Sequence, residues 1–106
     1  MKLAVIDGQG GGIGKALVER LRKELPDTVK IIALGTNSAA TVFMLKAGAD
    51  EGATGENAIV INSAKVDIIT GPIGIILANS MMGELTPKMA EAIAQSPALK
   101  ILIPLN

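Results

Sequence analysis

Histidine, cysteine, tyrosine and tryptophan are all missing from this chain, and Phe43 is its one aromatic residue. These absences exclude Ser-His-Asp triads, thiol nucleophiles, zinc sites rich in cysteine or histidine, and tyrosine acids. No metal site is expected. Without cysteine no disulfide can form, which fits a cytoplasmic protein. An excess of either charge is lacking too: ten Lys and Arg balance ten Asp and Glu, for a formal net charge of zero. There is no basic surplus to track a nucleic-acid backbone and no aromatic platform on which bases would stack. Long hydrophobic runs are also missing. The apolar start Leu3 to Ile6 ends at Asp7, so it does not read as a signal peptide. The longest uncharged run, from Ile68 up to Glu84, is too short for a membrane span and holds Gly71, Pro72 and Gly74.

What is present is aliphatic. The hydrophobic fraction is 49% in a chain of 106 residues, which is long enough for a single domain over 1–106. A domain this small has much surface for its volume. Some of its apolar surface is therefore expected to meet another copy, giving a homo-oligomer.

Short apolar runs alternate with amphipathic ones. Strands are predicted at Leu3 to Ile6, Val29 to Leu34, Ala49 to Ala53, Val66 to Thr70 and Leu99 to Ile103. The first helix is predicted from Gly12 to Leu25, where Ile13, Leu17, Leu21 and Leu25 fall on one stripe and Pro26-Asp27 ends it. The second follows Gly35-Thr36-Asn37-Ser38, a turn with good N-cap residues, and runs to Ala47. Glu56 to Ala64 reads as a crossover helix, despite Ile59-Val60-Ile61. Gly71 to Gly74 is a glycine turn that opens a short apolar helix to Met82. Thr86-Pro87 starts a helix that ends near Gln95. Strict alternation of this kind implies an α/β fold, a mostly parallel sheet of about five strands with helices on both faces.

The segment richest in chemistry is Lys2 to Lys15, KLAVIDGQGGGIGK. A buried-type strand leads into Gly8, Gly10, Gly11, Gly12 and Gly14, and the cluster opens a helix. Strand, glycine loop and helix in that order hold phosphates in open α/β proteins. Glycine lets the backbone approach an anion, and the unpaired N–H groups of the first helical turn point at it. The dinucleotide pattern Gly-x-Gly-x-x-Gly fails in every frame. The phosphate loop Gly-x4-Gly-Lys-Ser/Thr keeps Gly14-Lys15 but has Gln9 at its first glycine and Ala16 at its hydroxyl, so a magnesium ligand is lost. Lys15 at a helix start could still meet a phosphate.

Gly8-x-x-x-Gly12-Ile13-Gly14, continued by Lys15-Ala16-Leu17, resembles the glycine motif of the short-chain dehydrogenase/reductase family. The resemblance covers roughly the first third of the chain. It implies that Gly8, Gly12, Ile13 and Gly14 line a pyrophosphate or ribose-phosphate pocket. Asp7 departs from that family's threonine, and its catalytic tyrosine has no counterpart in a chain without Tyr. The resemblance therefore implies cofactor-like binding and not that family's catalysis. Over its whole length the chain is similar to a small bacterial family known only as a domain of unknown function. VIDGQGGGIGKALV, IIALGTNS, GATGENAI, VDIITGPIG and ELTPKMAEAI carry that likeness. It implies a Rossmann-like fold, names no activity, and suggests a short tail beyond Asn106.

Sites in parallel sheets form where strands end. The ends here supply the candidate binding set: Asp7, Gly8, Gln9, Gly10, Gly11, Gly12, Ile13, Gly14 and Lys15, then Gly35, Thr36, Asn37 and Ser38, then Thr70, Gly71 and Pro72. No acid lies between Val29 and Ala49 to grip ribose hydroxyls, which points away from NAD and toward NADP or a mononucleotide. Thr36, Asn37 and Ser38 would bond a ribose or 2′-phosphate, or simply cap the helix. Asp7 would bind magnesium, act as a base, or bond to loop amides. Glu56 and Asn57 would reach the same sheet edge or start a helix. Asn79 and Ser80 read as a polar pair within an apolar helix, and Met81, Met82 and Met89 as core or subunit contact.

Three functions follow. The first is a nucleotide-binding Rossmann-like domain. The second is a non-catalytic sensing or scaffold module that reports through oligomer contacts. The third is an atypical phosphate-loop phosphotransferase, disfavoured by Ala16. The sequence leaves open whether the protein is an enzyme.

Overall fold

The computed structural model describes residues 1–105; Asn106 lies outside them. All the strands are parallel and form one sheet in the order β3-β2-β1-β4-β5. They are β1 (Lys2–Asp7), β2 (Lys30–Gly35), β3 (Glu51–Thr54), β4 (Ile68–Pro72) and β5 (Leu99–Ile103). The helices are α1 (Gly12–Glu24), α2 (Ser38–Ala47), α3 (Glu56–Ser63) and α4 (Pro87–Gln95).

β1 occupies the centre because Leu3 to Ile6 have nothing polar to expose on either face. Its residues alternate between two cores. Leu3 and Val5 pack with Val18 of α1 and Met44 of α2. Ala4 and Ile6 pack with Ile59 of α3 and Met89 and Ile93 of α4. The result is a three-layer, Rossmann-like α/β domain. α3 is a helix, as the sequence predicts, and it takes in Ile59-Val60-Ile61. A parallel sheet needs a crossover there.

The chain moves outward from β1 to β2 and β3, then returns to place β4 on the other side of β1. β1 and β4 pair through Leu3–Ile68, Ala4–Ile69 and Val5–Thr70. The connections diverge beyond the carboxyl ends of these two strands, which leaves a crevice there.

One predicted element is absent. Gly74 to Met82 is not a continuous apolar helix. A 3-10 turn spans Ile73–Ile76, irregular backbone follows, and a second tight turn spans Met81–Gly83. Two bonds take the place of a helix ladder. Ser80 Oγ donates to the Gly74 carbonyl at 2.5 Å, and the backbone N–H of Asn79 donates across to the Leu85 carbonyl at 2.7 Å. A serine hydroxyl offers the backbone such an alternative to a helix. Asn79, Met81 and Met82 take left-handed backbone, with φ of 68°, 56° and 56°. Leu77 to Gly83 is thus a strap rather than a helix. Among the described residues, no helix is long and apolar enough to cross a membrane.

Candidate functional site

A cavity of about 560 Å³ opens at the β1–β4 crevice. The glycine loop from Gly8 to Gly12 forms one wall, and Pro72, Gly74, Leu77, Ser80, Met81 and Met82 form another. Asp7 and Ile13 complete the lining.

The loop amides divide into used and unused. Asp7 is 5% exposed, and its carboxylate accepts from the Gly8 amide at 2.8 Å and the Gly14 amide at 2.6 Å. The Gly11 amide closes onto the Gly8 carbonyl at 2.9 Å. The Gln9 amide donates to Glu84 Oε1 at 2.8 Å. Among the described residues, the amides of Gly10, Gly12 and Ile13 have no partner in the chain. Gly12 and Ile13 belong to the first turn of α1, whose N–H groups project from the helix end.

The glycines divide the same way. A Cβ at Gly8 would meet Thr36 Oγ1, and one at Gly11 would lie 2.9 Å from Ala40 Cα on a backbone with φ of 71°. At Gly14 it would lie 2.7 Å from Met44 Sδ and 2.8 Å from Asp7 Cβ. The fold itself requires these glycines. At Gly10 and Gly12 a Cβ would meet nothing within 4 Å. Both line the cavity, and neither has the positive φ that would demand glycine.

Burial and the nearby Glu84 push the Asp7 carboxyl above its usual range, although its two amide bonds pull the other way. Desolvation is the larger effect, although both carboxylate oxygens accept from loop amides. Glu84 behaves oppositely. Thr36 Oγ1 donates to it at 2.7 Å and Asn37 Nδ2 at 2.9 Å, beside the Gln9 amide. These bonds hold its carboxyl below the usual range.

Glu84 is the residue that sequence reasoning missed. It ties the strap, the glycine loop and the β2–α2 turn to one carboxylate. Its partner Gln9 lies 75 positions away, so no local pattern announces it. Glu84→Gln is expected to lower the melting temperature by about 4 °C at neutral pH, through loss of charge-assisted hydrogen bonds. Because the folded Glu84 titrates below its ordinary 4.5, its stabilisation is present above that value and fades as pH falls through the folded value. The gap between parent and variant therefore closes on acidification, and melting curves from about pH 6 to about pH 3 check this.

The predicted binding residues separate accordingly. Asp7, Gly8, Gln9, Gly10, Gly11, Gly12, Ile13 and Pro72 line the cavity; Gly14, Lys15, Gly35, Thr36, Asn37, Ser38, Thr70 and Gly71 do not. Thr36 and Asn37 are turned to Glu84, and Asn37 Oδ1 also caps α2 by accepting from the Ala40 amide at 2.9 Å. Ser38 is exposed in the first turn of α2, and Gly35 sits tight against Thr41. Lys15 points to solvent beside Glu19, 4.0 Å away. Thr70 is buried in β4, and a Cβ at Gly71 would strike the Ile6 carbonyl. Glu56 and Asn57 are exposed at the start of α3 and do not line the cavity. Met89 is core, but Met82 is not: it is 95% exposed at the rim of the cavity.

A family model matches residues 2–106 and is described as Domain of unknown function (DUF3842). The chain belongs to that family. No functionally curated protein matches the DUF3842 chain. Among solved structures, it is similar to a universal stress protein in complex with cAMP, 14% identical, with 95% of each chain covered and a TM-score of 0.48. None of these matches extends the short-chain dehydrogenase likeness of the loop. The architecture of this DUF3842 chain rests on its own strand order.

Proposed function

We propose that this chain binds a nucleotide or a closely related phosphate-bearing small molecule at the β1–β4 crevice. The observation that carries the reading is the pair Gly10 and Gly12. The fold gives neither a reason to be glycine, yet each leaves bare backbone on a cavity wall. Glycine costs backbone entropy, so an otherwise unneeded glycine at a cavity marks close approach by a ligand. The free amides of Gly10, Gly12 and Ile13 supply donors suited to an anion. The cavity is of the size small ligands use.

A mononucleotide suits the site better than NADP. The position at the end of β2, where a dinucleotide places its ribose, is filled by the bonds of Thr36 and Asn37 to Glu84. A sensing or carrier role suits it better than catalysis. Asp7 is consumed by loop amides and Ser80 Oγ by the Gly74 carbonyl, so neither is free to move a proton. Exposed Val42 and Phe43 of α2 and Leu99 and Ile101 of β5 are the apolar surfaces through which copies of the chain would associate.

A thermal-shift screen against ATP, GTP, FMN, NAD, NADP, S-adenosylmethionine and simple phosphates tests the reading. A ligand at about a hundred times its Kd should raise the melting temperature by roughly 10 °C. No shift with any of them would leave a glycine loop that only packs.

A further inference from the structure

The strap carries a methionine where nothing in the folded chain asks for one. Met82 is 95% exposed, so it contributes nothing to the core. Its backbone, with φ of 56° and ψ of 35°, is left-handed, which disfavours any residue with a Cβ and suits glycine or asparagine. Met81, with φ of 56°, shares that backbone. The segment is not loose. Ser80 is tied to Gly74, Asn79 to Leu85, and Glu84 to the glycine loop. A tethered strap therefore holds two thioether side chains in an unfavourable conformation at the edge of the cavity.

The cavity is two-ended. One wall offers the free amides of Gly10 and Gly12, and a second, made by Pro72, Leu77, Met81 and Met82, meets it where the Met81 sulfur lies against Gly8. An anion satisfies the first wall. The second fits an apolar, polarisable group. Methionine is unbranched, adapts its shape, and makes favourable sulfur contacts with aromatic rings. The one aromatic residue, Phe43, is on α2 and does not line the cavity, so a planar base there would find no ring to stack on.

We infer that Met81 and Met82 form an adaptable clasp for the base of a nucleoside phosphate and give the cavity its preference for nucleotides over bare sugar phosphates. The inference rests on the proposed binding reading and adds to it the ligand's second half and the residues that select it. Left-handed backbone at Met82 is kept despite its cost in the free chain because the side chain closes on the ligand. Strain held at a site that also binds is the expected pattern.

Calorimetric titration of the full chain and of Met82→Gly with AMP, ribose 5-phosphate and inorganic phosphate tests this. The parent protein should prefer AMP to ribose 5-phosphate by about tenfold or more, and Met82→Gly should erase most of that ratio. The same variant relieves the left-handed strain, so its ligand-free melting temperature should rise by about 3 °C. Met81→Ala should reduce the ratio as well, without that rise. A gain in stability with a loss of base preference is not what a purely structural turn residue would give. If the parent binds ribose 5-phosphate as well as AMP, or if Met82→Gly keeps the full preference, the clasp is overturned while the amide wall stands. If the parent binds none of the three probes, the clasp is overturned, and the binding reading stands or falls on the thermal-shift screen.

Discussion

Gly12→Val should lower affinity for the phosphate ligand proposed for the loop by roughly a hundredfold or more, with little change in folding. Hydrogen bonds from amides to a charged phosphate contribute about 1.5–3 kcal/mol each, and losing the approach to Gly12 and Ile13 removes two of them. The folding half of the prediction comes from the empty space at this position. A Cβ there meets nothing within 4 Å, and its backbone is that of an ordinary first helical turn. The melting temperature should stay within about 2 °C of the parent value. Gly11→Val is the contrast. It would push a Cβ to 2.9 Å from Ala40 Cα on a φ of 71°, so it should fail by unfolding. Thermal melts and calorimetry on the two variants separate the effects. Affinity retained in a folded Gly12→Val protein would remove the loop from the binding site.

The central layers of the fold were legible in the sequence because they rest on local pattern. Leu3 to Ile6 and Ile31 to Leu34 are uninterrupted apolar runs, and in a parallel sheet such runs are buried on both faces. The four-residue stripe of α1 and the Thr86-Pro87 start of α4 are equally local, and Thr86 does cap α4 by accepting from the Met89 amide at 3.2 Å. The glycine loop could be placed at the carboxyl end of a strand because it directly follows the apolar run of β1; that this end borders a crevice comes from the strand order of the folded chain.

The strap departs from the helix its sequence predicts for a physical reason. Ile73 to Met82 is apolar, and apolarity resembled a buried helix, while the groups that break it, Ser80 and Asn79, act through bonds to Gly74 and Leu85 that composition does not display. Glu84 lay hidden because its partners Gln9, Thr36 and Asn37 come from two distant turns. A faint signal existed: it is the first charged residue after the longest uncharged run. Thr36 and Asn37 stand out in the sequence as polar groups at a strand end. Their hydrogen bonds turn inward to Glu84, and only the tertiary structure could tell an inward partner from a ligand.

Asp7 poses the sharpest question of the site, since a carboxylate near a phosphate cradle ought to repel its ligand. The geometry resolves this. Both carboxyl oxygens are engaged by Gly8 and Gly14, so Asp7 shapes the loop as an internal cap, and its charge is the cost of that shape. Asp7→Ala strips the partners from two buried amides and should destabilise the fold by about 2–5 kcal/mol. Asp7→Asn keeps one acceptor and should cost less. Because burial raises the folded carboxyl above 3.8, the parent protein loses stability relative to Asp7→Asn as pH rises from 3.8 through the folded value. Above that value the difference is constant. Removing the charge should also tighten anion binding, by about tenfold or more for groups within about 10 Å at an effective dielectric near 20. Melting curves from about pH 3 to about pH 7, with titration of pyrophosphate into Asp7→Asn, measure both effects. Tighter binding by a less stable variant identifies Asp7 as the brace of an anion loop. Weaker binding would mean that the carboxylate touches the ligand itself, through a cation or a proton, and the site would then be a catalytic one.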